Sequence, residues 1–267
     1  MNLGASAIVL RPRSVAEIMD LACRFTFARV LGLYARMSLA FLLPVVAGLI
    51  ALELLVDVPA WALWTGSGAL AIWLQGPFTL AVSRVMFGER PTVRSVAASF
   101  WSRIGAYTGA LVIKLLFVSL STALCGIGIF VTAPNGVLVP EVALLEGASA
   151  GEAWGRSKRL VAQRAGESFV ALAALFIATV AFAFGFELFG QAIVTDILQL
   201  GKPFGDVLHK GITPFCIAGV FLSAPYVATA RFLHYIDTRT RADGWDIQVK
   251  FMAIVNKDAE SKQGAPA

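Results

Sequence analysis

Long uncharged apolar stretches alternate with short polar segments along the whole chain. Stretches of this kind cover residues 58–83, 115–140, 168–186 and 211–230, and a shorter one covers 37–52. A helix needs about 20 predominantly apolar residues to cross a bilayer. The pattern therefore predicts an all-α, polytopic membrane protein, and it leaves no segment long enough for a sizeable soluble domain.

The positions of the basic residues indicate how many spans there are and which way they run. We place six spans near residues 37–57, 60–83, 104–124, 127–146, 167–190 and 211–233. With the N-terminus inside, only Lys202 and Lys210 of the 22 lysines and arginines lie outside, and Lys114 lies within a span. Cytoplasmic loops are enriched in these residues. We therefore expect a multi-pass protein of the bacterial inner membrane with both termini in the cytoplasm.

Composition restricts the chemistry that the chain can perform. It is 58% hydrophobic and 15% charged, whereas a soluble domain has about 25% charged residues. Cys23, Cys125 and Cys216 stand alone, with no Cys/His spacing that predicts a metal site. No catalytic or phosphate-binding motif is present either. We expect no enzyme activity, no cofactor and no metal.

Charge indicates which partners to expect. The net charge of +5 is divided among several short inner segments, which suits the lipid bilayer and its anionic headgroups better than nucleic acid.

Three inner segments resemble one another, each with a hydroxyl residue, an amphipathic stretch and then a span. The predicted amphipathic helices lie near residues 14–30, 92–103 and 149–164. Ser14 with Glu17, and Ser149 with Glu152, match a capping box, in which two side chains satisfy free backbone donors at a helix start. The middle segment keeps only the hydroxyl half, at Thr92. Internal repetition and convergence on one entry geometry both explain the likeness.

Two charges are predicted to lie inside the membrane. Lys114 is near the middle of the third span, and Glu141 is in the inner third of the fourth. A lone charge at the bilayer centre costs at least ~2.5–3.5 kcal/mol. Helical side chains lean toward the helix N-terminus, so Lys114 and Glu141 lean toward each other across the hairpin. We predict an intramembrane ion pair, either structural or part of a substrate or proton path.

The segment "YIDTRTRADGWDI" (235–247) follows the last span and alternates both signs of charge. A topological anchor needs only its arginines, so we expect the segment to fold back as a C-terminal lock. Arg239 and Arg241 would then pair with carboxylates of the inner helices, namely Glu17, Asp20 or Glu152. The polar end at 257–267 is predicted to be disordered.

Three motifs together resemble a broad group of bacterial inner-membrane proteins. They are "LRPRSVAEIMDLACRF", "VALLEGASAGEAWGRSKRL" and "YIDTRTRADGWDI". The group includes the six-span membrane domain of some glycerophosphodiester phosphodiesterases and stand-alone relatives of no assigned function. The matching positions are Arg11, Pro12, Glu17, Asp20, Glu146, Gly147, Arg156, Ser157, Tyr235, Asp237, Arg239, Arg241, Gly244 and Asp246, while Asp243 replaces the usual Glu. The resemblance implies a six-span fold and does not imply phosphodiesterase activity.

Two functions remain open on these grounds. The first is a non-enzymatic scaffold whose cytoplasmic face docks an unknown membrane or cytoplasmic protein, or lipid headgroups. The alternative is a transporter or channel for a small or amphiphilic solute, using Lys114 and Glu141. A packed bundle would favour the scaffold, and a water-filled path past Lys114 would favour transport.

Overall fold

The structure, a computed structural model, describes residues 13–56 and 58–243. Several predicted features lie outside the described residues, namely Arg11, Pro12, Gly244, Asp246, the tail at 257–267 and the side chain of Asp243.

The described chain consists of helices joined by short connections. They are α1 (Val15–Arg24), α2 (Leu31–Met37), α3 (Leu43–Leu55), α4 (Ala60–Met86), α5 (Val93–Cys125), α6 (Ile129–Asn135), α7 (Val139–Glu141), α8 (Ala150–Val161), α9 (Ala165–Ala192), α10 (Val207–Lys210) and α11 (Pro214–Asp243). Single π-helical turns follow α1, α2, α7 and α9 without a break, and they occupy Phe25–Arg29, Ser38–Leu42, Val142–Glu146 and Ile193–Ile197.

Within the described residues, six helical segments are long and apolar enough to cross a membrane, which confirms the predicted fold class. They are Leu31–Leu55, Ala60–Met86, Val93–Leu124, Ile129–Glu146, Ala165–Ile197 and Pro214–Ala242. The last segment extends well beyond the predicted end at residue 233, because the polar residues that follow continue the same helix. This extension places Arg231 inside a helix rather than at its end.

Helix α11 is the centre of the bundle. In its most apolar window 83% of the residues are buried, against 6% in the span formed by α2 and α3. Helices α4 and α9 make the most extensive contacts with α11, and α1 packs on it as well. The peripheral helices expose large apolar side chains, such as Leu115 and Phe176, as expected where lipid replaces water.

The three predicted helix starts all have reciprocal caps. Ser14 and Ser149 head α1 and α8 and exchange hydrogen bonds with Glu17 and Glu152. The remaining start, at Thr92, differs from the prediction, which gave it only the hydroxyl half of a capping box. Its Ser95 side chain accepts from the Thr92 backbone at 3.1 Å, replacing the carboxylate. The amphipathic stretch at 92–103 is not a separate helix, since it forms the first three turns of α5.

The fourth span is discontinuous, and proline chemistry explains the break. A proline lacks the backbone N–H, and its ring clashes with the carbonyl four residues earlier. Pro140 therefore interrupts the helix near Gly136, and residues 136–138 form turns between α6 and α7. The π-helical turn after α7 then brings Glu146 toward the face that displays Glu141, because π-helical bonds join residues five apart.

Candidate functional site: a cavity with a cationic end

Arg231 lies at the centre of a buried polar cluster within the membrane. Its Nη2 donates to Glu141 Oε2 at 2.9 Å, and its Nη1 donates to Gln75 Oε1 at 2.9 Å. The carbonyl of Val137, at the break in the fourth span, accepts from Nη2 at 3.3 Å. Side-chain exposure is 8% for Arg231 and 2% for Glu141. The elements α4, α7 and α11 thus meet at one guanidinium group.

The prediction that Lys114 pairs directly with Glu141 is wrong, because Glu141 pairs with a different cation. Arg231 is the ion-pair partner of Glu141. Among the described residues Lys114 forms neither a hydrogen bond nor an ion pair. It lies near enough to Arg231 and Glu141 for an electrostatic interaction with each of them. The error arose because Arg231 was assigned to the inner end of the sixth span. The long α11 places it at the depth of Glu141 instead.

A cavity of about 390 Å³ lies beside this cluster. Four helices provide its lining, namely α4, α5, α9 and α11. Its polar wall consists mainly of Gln75, Lys114 and Arg231, whereas most of the remaining wall is aliphatic and aromatic. The hydroxyls of Thr179 and Ser223 in that wall donate to carbonyls of their own helices, at 3.0 Å and 2.7 Å.

The cavity has two chemically different ends. Trp64 and Phe184 stack at one end with ring centroids 6.4 Å apart, and Trp64 Nε1 donates to the Gly211 carbonyl at 2.8 Å. Arg231 and Gln75 lie at the other end. Trp64 and Gln75 are eleven residues apart on α4, so a rise of 1.5 Å per residue separates the ends by ~16 Å.

The apolar wall is exposed to the surroundings of the bundle along α9. Phe176 and Phe184, which line the cavity, are 69% and 43% exposed. Both residues are within the span Ala165–Ile197, where the surroundings are hydrocarbon. The cavity therefore opens sideways toward lipid.

A second polar cluster lies two turns further along α11. The Tyr235 hydroxyl donates to Glu146 Oε1 at 2.7 Å and accepts from Arg239 Nη1 at 2.9 Å. Arg239 and Arg156 form ion pairs with Glu146 at 3.8 Å and 3.3 Å. Four residues of the predicted motifs therefore meet here, at the end of the fourth span.

Arg241 connects the end of α11 to the start of α1. Its Nε donates to Asp237 Oδ2 at 2.9 Å, and its Nη2 donates to the Arg13 carbonyl at 2.7 Å. Asp237 Oδ1 accepts from the Arg13 backbone N–H at 2.8 Å. The segment up to residue 243 thus packs against the inner helices, in the manner expected of the lock.

The partners named for that lock differ from those found. Glu17 and Glu152 cap their own helices, and Asp20 pairs with Arg24 one turn away at 3.0 Å. Glu146 and the backbone of Arg13 take their places as partners of Arg239 and Arg241. Each of these glutamates accepts from the backbone N–H of its own cap residue, which turns its side chain toward the start of its own helix.

Two further buried groups hold helices together, and one of them is the motif residue Ser157. Ser157 donates to the carbonyl of Asn135 at 2.6 Å and so fixes α8 to the broken span. Glu187 is 3% exposed and accepts from Thr213, Gln191 and Cys216. Thr213 precedes α11, whose N-terminal dipole favours an anion. Glu187 therefore stabilises the start of the central helix.

Comparisons with models of known protein families, with curated proteins and with solved structures found no match to this chain. The resemblance to the membrane domain of glycerophosphodiester phosphodiesterases therefore remains a prediction from the three sequence motifs.

Proposed function

We propose that this protein binds an anionic amphiphile in its membrane cavity and exchanges it with the surrounding lipid. This is the transporter alternative of the two functions considered above. The observation that supports it is the cavity itself, which joins an apolar, lipid-facing wall to an end formed by Lys114, Arg231 and Gln75.

The arrangement suits a solute with one charged end and one apolar body. Ligand sites are typically apolar with a few polar groups that fix orientation, and buried cations in membrane proteins frequently mark substrate paths. Lys114 is the cation available for such a solute, because Arg231 already has Glu141 as its partner. Its side chain is half-buried and lines the cavity.

A scaffold has less support from the described residues. The charged motif residues of the predicted cytoplasmic face, Glu146, Arg156, Arg239 and Arg241, form bonds within the chain. Such bonds stabilise the bundle, and their disruption would be required before the same groups could bind another protein.

The test is to identify the amphiphiles that co-purify with the full chain in a mild detergent. We expect mass spectrometry of the extract to find an anionic amphiphile with the wild-type protein and to find it depleted with Lys114→Met. Lys158→Met is the matched control, since Lys158 is exposed on α8 and its change removes the same charge far from the cavity. Equal recovery from all three proteins, or recovery of no amphiphile, would contradict the proposal.

The bacterial inner membrane and the cytoplasmic position of both termini are part of the same proposal. Six apolar helices and the distribution of basic residues support it. A reporter that is active only in the cytoplasm should work when fused after Arg90, after Arg156 or at the C-terminus, and should fail after Gly201. Activity after Gly201 with silence at the C-terminus would reverse the orientation.

A further inference from the structure

We infer that the cavity selects a single-chain amphiphile with one negative charge, of which a free fatty acid is the simplest case. The inference rests on the proposed function and adds the class of ligand. Three observations support it, namely the charge balance at the polar end, the hydrogen bonds of its two cations and the size of the cavity.

The charge balance specifies the headgroup. Lys114 and Arg231 provide two positive charges at the polar end, and Glu141 provides one negative charge behind Arg231. One positive charge is therefore left for the ligand. A carboxylate neutralises it, whereas a doubly charged phosphate monoester would leave an uncompensated anion in a region where charge is costly.

The hydrogen-bond geometry also suits a small head. Arg231 Nη1 and Nη2 are bonded to Gln75 and Glu141, so the guanidinium is fixed before a ligand arrives. Lys114 is the group with donors to spare, because among the described residues it makes no hydrogen bond. A carboxylate oxygen at Lys114 completes the cluster without displacing Glu141.

The size of the cavity limits the ligand to one chain. Its volume of about 390 Å³ is near the lower end of the ~300–1,000 Å³ that is usual for ligand sites. The polar end and the Trp64–Phe184 end are ~16 Å apart along α4, as the helical rise requires. One medium-length acyl chain occupies this volume, so the second long chain of a phospholipid would have to remain outside, in the surrounding lipid.

Gly68 provides a direct way to change the length of the site. It lines the cavity on α4, between Trp64 and Gln75, and a Cβ added there would meet no atom within 4 Å. A leucine at position 68 would therefore enter the cavity without a clash with the backbone. Gly66 is the matched control, because its Cβ position is equally open and it does not line the cavity.

The experiment measures binding of radiolabelled dodecanoic acid to the full chain in nanodiscs of zwitterionic lipid, with empty nanodiscs as background. We expect saturable binding that dodecanol displaces about tenfold to a hundredfold less well than unlabelled dodecanoic acid, since the alcohol lacks the charge-assisted bond. Phosphatidic acid with two long chains should also compete poorly. Lys114→Met should remove the preference for the acid over the alcohol.

The glycine variants test where the chain lies. Gly68→Leu should weaken binding of dodecanoic acid at least tenfold and affect octanoic acid less, whereas Gly66→Leu should bind both as the wild type does. Equal effects of the two glycine variants would overturn the placement of the chain in the cavity.

The outcomes separate the two proposals. The contrary result is that phosphatidic acid with two chains is the tighter ligand, with binding that Gly68→Leu weakens, while fatty acid binds weakly. That result would overturn this inference and leave the proposed function standing. Failure of every tested anionic amphiphile to bind above background would overturn both.

Discussion

Arg231 and Arg239 lie two turns apart on one face of α11, and both pair with a carboxylate of the fourth span. Arg231 and Glu141 are 8% and 2% exposed, while Arg239 and Glu146 are 31% and 20% exposed. The first pair lies beside an open cavity within the membrane. The second pair is bridged by Tyr235, whose hydroxyl donates to Glu146 and accepts from Arg239.

Both pairs consist of an arginine and a glutamate, so they differ in burial and not in residue type. A buried charge that loses its partner is strongly destabilising, whereas exposed pairs contribute about 0–1 kcal/mol. The pair near the cavity should therefore determine stability most, and the pair at the end of the span should act mainly through its tyrosine. The predictions below follow that order.

Loss of Arg231 should have the largest effect. Arg231→Met strands Glu141 among apolar groups, and we expect a loss of about 3–5 kcal/mol in the free energy of unfolding. Combining it with Glu141→Gln should recover much of the loss. Unfolding in mixed micelles measures both, with Arg159→Met as control because Arg159 is exposed on α8. A double variant as unstable as the sum of the singles would show that the two residues act independently.

Tyr235→Phe should have the next largest effect. The change removes the hydroxyl that donates to Glu146 and accepts from Arg239, and hydrogen bonds to charged groups are worth about 1.5–3 kcal/mol. The matched control is Tyr226→Phe, since among the described residues the Tyr226 hydroxyl makes only long contacts, at 3.5 Å to the Met19 carbonyl and 3.6 Å to the Met19 Sδ. The same unfolding assay measures both. If the two phenylalanine variants are equally stable, the second cluster derives nothing from Tyr235.

Arg241→Lys should cost less, on the order of 1 kcal/mol, although the charge is kept. Lysine lacks the planar fork that donates to Asp237 and to the Arg13 carbonyl at once. Hydrogen exchange should become faster at the start of α1, while exchange in α8 should stay unchanged. Wild-type exchange rates throughout α1 would reduce Arg241 to a topological anchor.

The fold could be predicted from the sequence, whereas the cavity could not. Apolar stretches of spanning length determine the number of helices, because each backbone polar group in lipid needs an internal partner. A cavity depends on how each helix is rotated about its axis, and average hydropathy does not contain that information. The motif residues Glu146, Tyr235, Arg239 and Arg156 meet in space, yet the residues that line the site, such as Gln75, belong to none of the motifs.

Two signals in the sequence could have located the buried cluster. Arg231, Tyr235 and Arg239 are spaced four apart, which places them on one helical face. Gln75 is a polar residue in the middle of an uncharged stretch, and such residues in spans usually face the bundle interior. No comparable signal in the sequence predicts the π-helical turn that brings Glu146 toward the face of Glu141. The structure was therefore needed to identify the carboxylate that pairs with each arginine.

A charged cluster on an exposed loop should have the smallest effect, and it should depend on pH. Asp206 precedes α10, where it accepts from His209 Nδ1 at 2.6 Å and from Lys202 Nζ at 3.0 Å. These bonds, first that of His209 and then that of Lys202, hold the pKa of Asp206 below its ordinary value. A lowered pKa means that the folded state favours the ionised form, so the contribution is complete above about pH 4. It is lost as the pH falls below that point. Asp206→Asn should therefore lower the midpoint of thermal unfolding slightly at pH 7, and the difference from wild type should shrink toward pH 3. A difference that stays constant across this range would show that the charge of Asp206 does not cause the effect, since asparagine keeps an oxygen that can cap the His209 N–H.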